Sequence, residues 1–285
     1  METRLTEVAD GVHQITTHVA EMDFGFNQYL VAGDEPMLFH TGMRAMFPLV
    51  SDAVSQVIPL DSLRWVSFGH VEADECGSMN AFLAAAPGST VAQGMIGCMV
   101  SIADLADRPP RPLADGEVLD IGAHRIRWID TPHVPHGWEA GVVYDETTRT
   151  LFCGDLFTRW GAYPATTTDD IVGPAVDADA RDDYGSWSLR PTTGAAIRHL
   201  ADLDVATLAL MHARSTPVTA QRPCRPWPTG PTSSMDVWED RLEQRWARSA
   251  AFGIAAIRSD VQPPRGRRTR SAAMATAPAA ERTAA

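Results

Sequence analysis

The stretch Gly69-His70-Val71-Glu72-Ala73-Asp74-Glu75 crowds four side chains that can bind a metal ion into six residues. It follows the apolar run 63–68, which is typical of a buried strand. Side chains alternate with period two in an extended segment, so those of His70, Glu72 and Asp74 would point the same way. A turn after them would bring the final glutamate towards the same space. The stretch therefore predicts a nucleus of metal ligands at the end of a strand, and the alternative is a solvated acidic turn with one stray histidine.

Histidines and aspartates recur at the ends of three further apolar runs. These segments are Thr131 to Gly137 after the run 125–129, Gly154-Asp155 after the run 150–153, and Met211-His212 after the run 206–210. Loops at the carboxyl ends of strands are where open α/β proteins usually build their sites. The repetition over four strand ends indicates one shared metal site rather than separate core or surface side chains.

The order His-x-Glu-x-Asp, then His, Asp and His resembles the metallo-β-lactamase superfamily over about residues 5–215. Asn27-Gln28-Tyr29-Leu30 and Leu38-Phe39-His40-Thr41-Gly42 resemble its opening strands. Its hydrolases of the glyoxalase II and lactamase type usually carry His-x-His-x-Asp-His, whereas the oxygen-binding diiron domains of flavodiiron proteins carry His-x-Glu-x-Asp-His. Glu72 makes this chain more similar to the diiron branch. The resemblance implies an α/β fold, a four-layer αβ/βα sandwich of the metallo-β-lactamase type.

The resemblance also implies a set of ligands for two metal ions. Metal one would take His70, Glu72 and His136, metal two would take Asp74 and His212 with Glu75 as a further candidate, and Asp155 would bridge them. His136-Gly137-Trp138-Glu139 resembles the His-Trp-Pro-Asp segment of the diiron branch, which favours His136 over His133 as the ligand. His133, His40 and Trp138 are then expected around the metal ligands or in the pocket.

Two residues depart from the diiron pattern. Glu75 stands where that branch has a histidine ligand, and His40 stands where it has an aspartate before Thr41-Gly42. Glutamate is long enough to reach a metal ion and can coordinate through one or two oxygens, although the backbone around it would have to adjust. We expect Asp155 and Glu75 to be the residues that act directly in catalysis.

Counting donors indicates which metals suit the site. Glu72, Asp74, Glu75 and Asp155 together carry four negative charges, which would balance two divalent cations and help to hold a more oxidised pair. Oxygen-rich ligand sets with imidazole suit iron or manganese, and zinc remains an alternative because affinity order places it above iron. Two metal ions are expected, with iron favoured by the resemblance.

Two classes of function are compatible with such a site. A diiron protein would bind or reduce dioxygen or nitric oxide, either as a reductase with a separate electron-donor protein or as a sensor. The residues after 215 are too few and too polar for a flavodoxin-like domain, so we expect no flavin on this chain. The alternative is a dinuclear zinc hydrolase of an ester, thioester, lactam or phosphoester. A degenerate scaffold without catalysis is a third interpretation.

Periodicity and composition divide the chain. Helical patterns over 47–57, 79–85 and 192–203 alternate with β-prone runs, which argues for a layered α/β fold in one domain over 1–260. The stretch 162–188 is predicted to be a long loop and the stretch 235–257 a packed helix. The Arg- and Ala-rich stretch 261–285 is predicted to be a disordered tail.

Composition excludes several classes of protein. All twenty-four basic residues are arginine, so a P-loop lysine, a Schiff-base lysine and a Ser-x-x-Lys nucleophile are excluded. The net charge of −12 makes nucleic acid an unsuitable partner. Four cysteines without Cys-x-x-Cys spacing, no signal core and no membrane-spanning run lead us to expect a cytoplasmic protein that does not contact a membrane. A homo-oligomer is allowed.

Overall fold

Two mixed β-sheets form the centre of the fold in the computed structural model, which describes residues 2–180 and 190–217. The first sheet has seven strands in the order β1-β2-β3-β4-β5-β6-β7, antiparallel as far as β4 and parallel from there. Its strands are β1 Glu2–Ala9, β2 Val12–Val19, β3 Phe24–Val31, β4 Met37–Phe39, β5 Trp65–Ser67, β6 Thr90–Gly94 and β7 Arg111–Leu113.

The second sheet has six strands in the order β13-β12-β11-β10-β9-β8. Its strands are β8 Val118–Asp120, β9 Arg125–Asp130, β10 Gly141–Asp145, β11 Thr150–Phe152, β12 Thr207–Ala209 and β13 Thr216–Pro217. Among the described strands of this sheet, only β11 and β12 are a parallel pair, and the described part of the crossover between them contains two helices. A parallel pair requires such a crossover because a short hairpin can join only antiparallel neighbours.

Seven α-helices occur among the described residues. They are α1 Phe47–Val54, α2 Ala73–Cys76, α3 Met79–Ala85, α4 Met95–Gly97, α5 Ala103–Leu105, α6 Val172–Ala180 and α7 Thr193–Ala201. A π-helical turn, Cys98–Ile102, joins α4 to α5, and two 3₁₀ turns cover Arg44–Met46 and Leu60–Ser62.

Strand side chains alternate between an inner and an outer core. Leu30 of β3 packs with α1 and α3 outside the first sheet, whereas its neighbour Tyr29 packs between the two sheets. Leu151 of β11 packs with α6 and α7 outside the second sheet, and the next residue, Phe152, packs between the sheets. Period-two alternation therefore gives three apolar cores and four layers, α, β, β and α. The predicted fold class, a four-layer αβ/βα sandwich of the metallo-β-lactamase type, is confirmed.

Most predicted elements appear with shifted ends. The helix predicted over 79–85 is α3, and those predicted over 47–57 and 192–203 are α1 and the somewhat shorter α7. The runs 125–129, 150–153 and 206–210 become β9, β11 and β12. Apolar periodicity places the centre of an element well, while its ends depend on tertiary contacts.

The predicted loop over 162–188 is wrong in part, because Val172–Ala180 is the helix α6. Its Val172 and Ala175 side chains are buried in the core outside the second sheet, so a short apolar stripe was enough to form a packed helix. The helix predicted over 235–257 and the tail predicted over 261–285 lie outside the described residues. Within the described ranges, no helix has both the length and the apolar character required to cross a bilayer.

Candidate metal centre

The four candidate segments meet at one edge of the sandwich. β9 and β11 are both antiparallel to β10, and β12 is parallel to β11, so the carboxyl ends of β9, β11 and β12 share an edge. The loop after β5 of the first sheet joins them there, since the Gly141 amide donates to the Gly69 carbonyl at 2.9 Å. The Met211 amide donates to the Gly154 carbonyl at 3.0 Å and ties the last two segments together.

One donor atom each from four side chains lies within 4.8 Å of the other three. The residues are His70, Glu72, His136 and Asp155. The two imidazole Nε2 atoms are 2.8 Å apart, and Glu72 Oε2 is 2.9 Å from that of His70 and 3.1 Å from that of His136. The structure thus brings together the three residues predicted for metal one and the predicted bridge. Their role as ligands stays a prediction.

A second group forms around His212. Its Nε2 lies 3.2 Å from Asp74 Oδ2 and 3.2 Å from Asp155 Oδ1. The other oxygen of Asp155, Oδ2, faces the first group at 3.7 Å from His70 Nε2 and 3.6 Å from His136 Nε2. Asp155 therefore directs one carboxylate oxygen to each group, which is the arrangement a bridging carboxylate requires.

The His212 ring is fixed from three sides by β3. Its Nδ1 donates to the Gly25 carbonyl at 2.9 Å, which leaves the Nε2 lone pair for the site. The ring centroid of Phe24 lies 4.5 Å from that of His212 at an interplanar angle of 32°, and the Phe26 ring meets it edge-on at 5.2 Å and 82°. The Phe24 ring in turn packs against that of Trp160, whose side chain is 54% exposed, with the ring centroids 4.8 Å apart and the planes tilted by 53°.

Hydrogen bonds from Asn27 hold the loop that carries His212. Its Nδ2 donates to the carbonyls of Leu210 and Ala213, each at 2.7 Å, and its main-chain amide donates to the Met211 carbonyl at 2.9 Å. Its Oδ1 accepts a 2.7 Å hydrogen bond from the Thr16 hydroxyl. Such a satisfied buried polar network holds a loop in one arrangement, because breaking any bond leaves a buried polar group without a partner.

Glu75 lies behind His70. Its Oε2 accepts the His70 main-chain amide at 2.7 Å, and its Oε1 lies 3.2 Å from His70 Nδ1. On its other side, Oε1 is 3.4 Å from His40 Nε2, and all three side chains are buried. The group of four donors meets at Nε2 of His70, whereas Glu75 contacts Nδ1 on the opposite side of the ring. Glu75 therefore lies outside that group.

The local helix explains this placement. We expected an extended segment through Asp74, but α2 begins at Ala73, so that expectation is wrong. Successive helical residues are rotated by about 100°, and the carboxylates of Asp74 and Glu75 consequently point in different directions. Asp74 faces His212 and Glu75 faces His70. Ligation of metal two by Glu75 stays a prediction that this geometry does not favour.

The remaining predicted residues lie beside the site. His133 is half-buried, and its main-chain amide donates to the Gly137 carbonyl at 2.7 Å, but its side chain is not among the four converging donors. Trp138 is 59% exposed in the same loop. His40 is fully buried with Nδ1 3.3 Å from the Asn27 carbonyl oxygen.

Ionisation equilibria follow from these contacts. Hydrogen bonds from His136 and His70 lower the pKa of Glu72 to about 2. Burial lowers the pKa of His212, but the carboxylates of Asp155 and Asp74 outweigh burial and raise it to about 10. Burial raises the pKa of Asp155, and the imidazoles of His212 and His70 outweigh it and lower that pKa. The site therefore strongly favours cations next to its carboxylates.

The donor set suits a pair of metal ions. Asp155 Oδ1 is buried and accepts no hydrogen bond among the residues that the structure describes, although His212 Nε2 lies 3.2 Å from it. The Nε2 atoms of His70 and His136 are 2.8 Å apart, so they can share one proton or bind one cation, but they cannot each carry a proton. Imidazole and carboxylate together are ligands for iron, manganese or zinc.

Sequence reasoning missed the residues that support His212. Asn27 was noted only as part of an opening strand, and the pair Phe24 and Phe26 was not considered at all. Their contacts join residues more than 180 positions apart, as in the bond from His212 Nδ1 to the Gly25 carbonyl. The one local signal was a glycine between two aromatic residues in a strand, where glycine often marks a close approach.

Comparison with known proteins gives a family. Residues 24–173 match the family described as ODP family beta lactamase. The putative diflavin flavoprotein A 1 of Nostoc sp. (strain PCC 7120) is 26% identical over 196 residues, which are 66% of this chain and 33% of that protein. The chain thus spans about a third of the length of this curated relative.

Solved structures agree on the fold. The metal-soaked Flv1 flavodiiron core from Synechocystis sp. superposes with a TM-score of 0.68 at 18% identity, over 86% of this chain and 62% of that one. A fragment of the putative diflavin flavoprotein A 5 from Nostoc sp. gives a TM-score of 0.71 at 15% identity, over 87% of this chain and 98% of that one. At such identities the likeness concerns the fold alone.

Proposed function

The chain belongs to the ODP family of beta-lactamases, and from this membership we propose that it is a dinuclear metal protein, with iron favoured, that binds or reduces dioxygen or nitric oxide. The observation that carries the proposal is Asp155, whose two oxygens face two separate groups of imidazoles and carboxylates. The similarity to diflavin flavoproteins and to a flavodiiron core supports iron over zinc.

The residues divide between the two metal ions as follows. His70, Glu72 and His136 would hold one ion, Asp74 and His212 the other, and Asp155 would bind both. A ferrous pair, when bound, supplies electrons and open coordination positions to a diatomic ligand. The three carboxylates in this set would offset most of the charge of two divalent cations, and Glu75 adds a fourth negative charge within contact of His70.

The protein itself orients the donors. Gly25 fixes which nitrogen of His212 faces the site, and Phe24 covers one face of that ring. The exposed Trp138 lies on the segment that carries His136, and the exposed Trp160 lies on the segment that carries Asp155. We place Asp155 at the centre of the reaction and treat the role of Glu75 separately below.

Reduction requires an electron source. We propose a separate electron-donor protein for a reductase, or a coupled partner for a sensor. One structural neighbour is described as a rubredoxin oxygen:oxidoreductase from Desulfovibrio gigas, with a TM-score of 0.65 at 19% identity over 75% of this chain and 57% of that one. Among the described residues, Cys76, Cys98 and Cys153 are free cysteines.

The test is anaerobic reconstitution of the full chain with ferrous iron, followed by metal analysis, Mössbauer spectroscopy, and measurement of dioxygen and nitric oxide consumption with a chemical reductant. We expect two irons per chain, a coupled pair in the spectrum, and uptake of at least one of the two gases. Tight binding of two zinc ions with hydrolysis of an ester or phosphoester and no gas uptake would favour the metallohydrolase. Retention of no metal would indicate the scaffold.

A further inference from the structure

We propose that Glu75 is a positioning residue that holds the His70 ring through Nδ1 and does not bind metal, so that the first metal site depends on Glu75 and the second does not. This inference rests on the proposed function only in requiring that metal ions bind to the two groups. It replaces the expectation that Glu75 completes the site of Asp74 and His212.

Both oxygens of Glu75 have identified neighbours. Oε2 accepts the main-chain amide of His70 at 2.7 Å, and Oε1 is 3.2 Å from Nδ1 of the same residue. One carboxylate therefore contacts the backbone and the ring of His70 together, which fixes both the position of the residue and the rotation of its imidazole. The Cβ that an alanine would add at Gly69 would lie 3.3 Å from Oε2, so the loop closes tightly around the carboxylate.

This geometry sets the chemistry of His70. A carboxylate oxygen 3.2 Å from Nδ1 favours the tautomer in which Nδ1 carries the proton. Nε2 then presents its lone pair to Glu72, His136 and the metal position between them. A carboxylate behind a ligating imidazole also makes the imidazole a stronger donor, and removal of such a partner typically costs about 10–100-fold in metal affinity.

His40 holds the other side of the carboxylate. Its Nε2 is 3.4 Å from Glu75 Oε1, and its Nδ1 lies 3.3 Å from the Asn27 carbonyl oxygen. Its backbone has a φ of +64°, in the left-handed region that side-chain-bearing residues rarely adopt. The buried charge of Glu75 thus lies between two imidazoles, and this arrangement gives the carboxylate a stable position away from Asp74.

The second site has fewer protein donors as a result. Asp74 and His212 face each other at 3.2 Å, and Asp155 contributes one oxygen. Glu75 could reach that site only by giving up the His70 amide, because its side chain leaves α2 in a different direction from that of Asp74. We therefore expect two unequal metal sites, with the tighter one at His70.

The experiment measures ferrous iron binding to each site separately by anaerobic equilibrium dialysis of the full chain. H212A disables the second site and H136A disables the first, so each background reports one iron. Adding E75Q to H212A is expected to raise the dissociation constant of the remaining iron by about 10–100-fold. Adding E75Q to H136A should change it by no more than about twofold, as expected for independent sites.

Glutamine retains the shape of Glu75 and can still accept the His70 amide, so E75Q isolates the loss of charge at Nδ1. Circular dichroism and thermal unfolding of the metal-free variants check folding. E75D, which keeps the charge on a shorter side chain, is a second variant and should weaken the first iron less than E75Q does.

Three results would overturn the inference. These are a selective loss of iron from the H136A background, an equal loss from both backgrounds, and no change in either. The first would make Glu75 a ligand of the second metal. If the wild-type chain binds only one iron, the proposed dinuclear function fails, while the effect of E75Q on that iron in the H212A background still decides the role of Glu75.

Discussion

The Nε2 atoms of His70 and His136 lie 2.8 Å apart, with ring centroids separated by 4.4 Å and ring planes at 85°. Two imidazole nitrogens this close cannot both carry protons without a clash between like dipoles. A metal cation bound by both nitrogens would replace this unfavourable contact with two ligand bonds. Glu72 Oε2 lies within 3.1 Å of each nitrogen and could bind the same cation. These two histidines come from loops of different sheets, so their meeting depends on the packing of the sheets.

The first prediction separates His136 from His133. H136A removes a donor from the group of four, so one iron should be lost or bind more weakly by about 10–100-fold or more, since loss of even an outer partner costs that much. H133A should leave iron content near two per chain, because its side chain is not in that group. Metal analysis after dialysis is the measurement, and equal losses in the two variants would contradict the assignment.

The second prediction concerns Asp155. D155N removes a negative charge that lies between the two groups. It also replaces one of the two carboxylate oxygens, which face His136 and His212 respectively, with an amide nitrogen. We expect both irons to bind more weakly and the magnetic coupling between them to disappear from the Mössbauer spectrum. D74N is the matched control, since Asp74 contacts His212 and should affect one iron only. Retention of a coupled pair in D155N would show that Asp155 is not the bridge.

The third prediction is a pH dependence of the metal-free protein. The fold raises the pKa of His212 from the ordinary histidine value of 6.5 to about 10. Burial opposes this rise, and Asp155 and Asp74 cause it. Because the folded pKa is above the unfolded one, the stabilisation is fully present below about pH 6.5 and is lost as pH rises through about 10.

Equilibrium denaturation of chelator-treated protein should therefore show stability falling between these pH values. Metal affinity should rise over the same interval, by up to about tenfold per pH unit for each proton displaced. H212N should flatten the stability curve, since asparagine does not titrate. A free energy of unfolding that increases from pH 7 to pH 10 in the metal-free wild type would contradict the prediction.

The fourth prediction concerns a buried pair outside the site. Asp145 is fully buried and accepts hydrogen bonds from His124 Nδ1 at 2.8 Å and from the Thr147 amide at 3.0 Å. Burial raises the pKa of Asp145, but the hydrogen bonds from His124 and Thr148 outweigh it and lower that pKa. D145N should cost about 2–4 kcal/mol of unfolding free energy.

Urea denaturation measures this loss, and D204N is the matched control. Asp204 pairs with Arg149 at 3.1 Å, but its side chain is 81% exposed, so the loss there should stay below about 1 kcal/mol. Similar effects of the two substitutions would show that the buried pair contributes no more than a surface one.

The fifth prediction concerns Gly25. A Cβ there would lie 2.4 Å from the Tyr163 hydroxyl, and the Gly25 carbonyl accepts the hydrogen bond from His212. G25A should destabilise the fold by about 1–3 kcal/mol and weaken the iron held by His212. G88A is the control, because nothing lies within 4 Å of its added Cβ. An unchanged thermal midpoint and iron content in G25A would show that Tyr163 moves away freely.

Local sequence patterns were sufficient to predict the strand ends that surround the site. Apolar runs ending in His70, Asp155 and His212 predicted strand ends, and β5, β11 and β12 end just before these residues. The parallel strands β11 and β12 share an edge of one sheet, so the meeting of the Asp155 and His212 loops could be expected without coordinates. The His70 loop follows a strand of the other sheet, and its place beside them depends on how the two sheets pack. The existence of α6 and the start of α2 at Ala73 could not be expected, because short helices form or end according to what their side chains pack against.

The sequence by itself determined the class of fold, the family and the strand ends that carry the candidate ligands, because these depend on residue type and on the period of the chain. Only the tertiary structure decided that Asp155 divides its oxygens between two groups, that Asn27 and Gly25 hold the His212 loop, and that Glu75 faces His70 instead of Asp74. These contacts depend on the angle at which each side chain leaves its backbone and on distances between residues far apart in the chain. A one-dimensional pattern contains neither quantity.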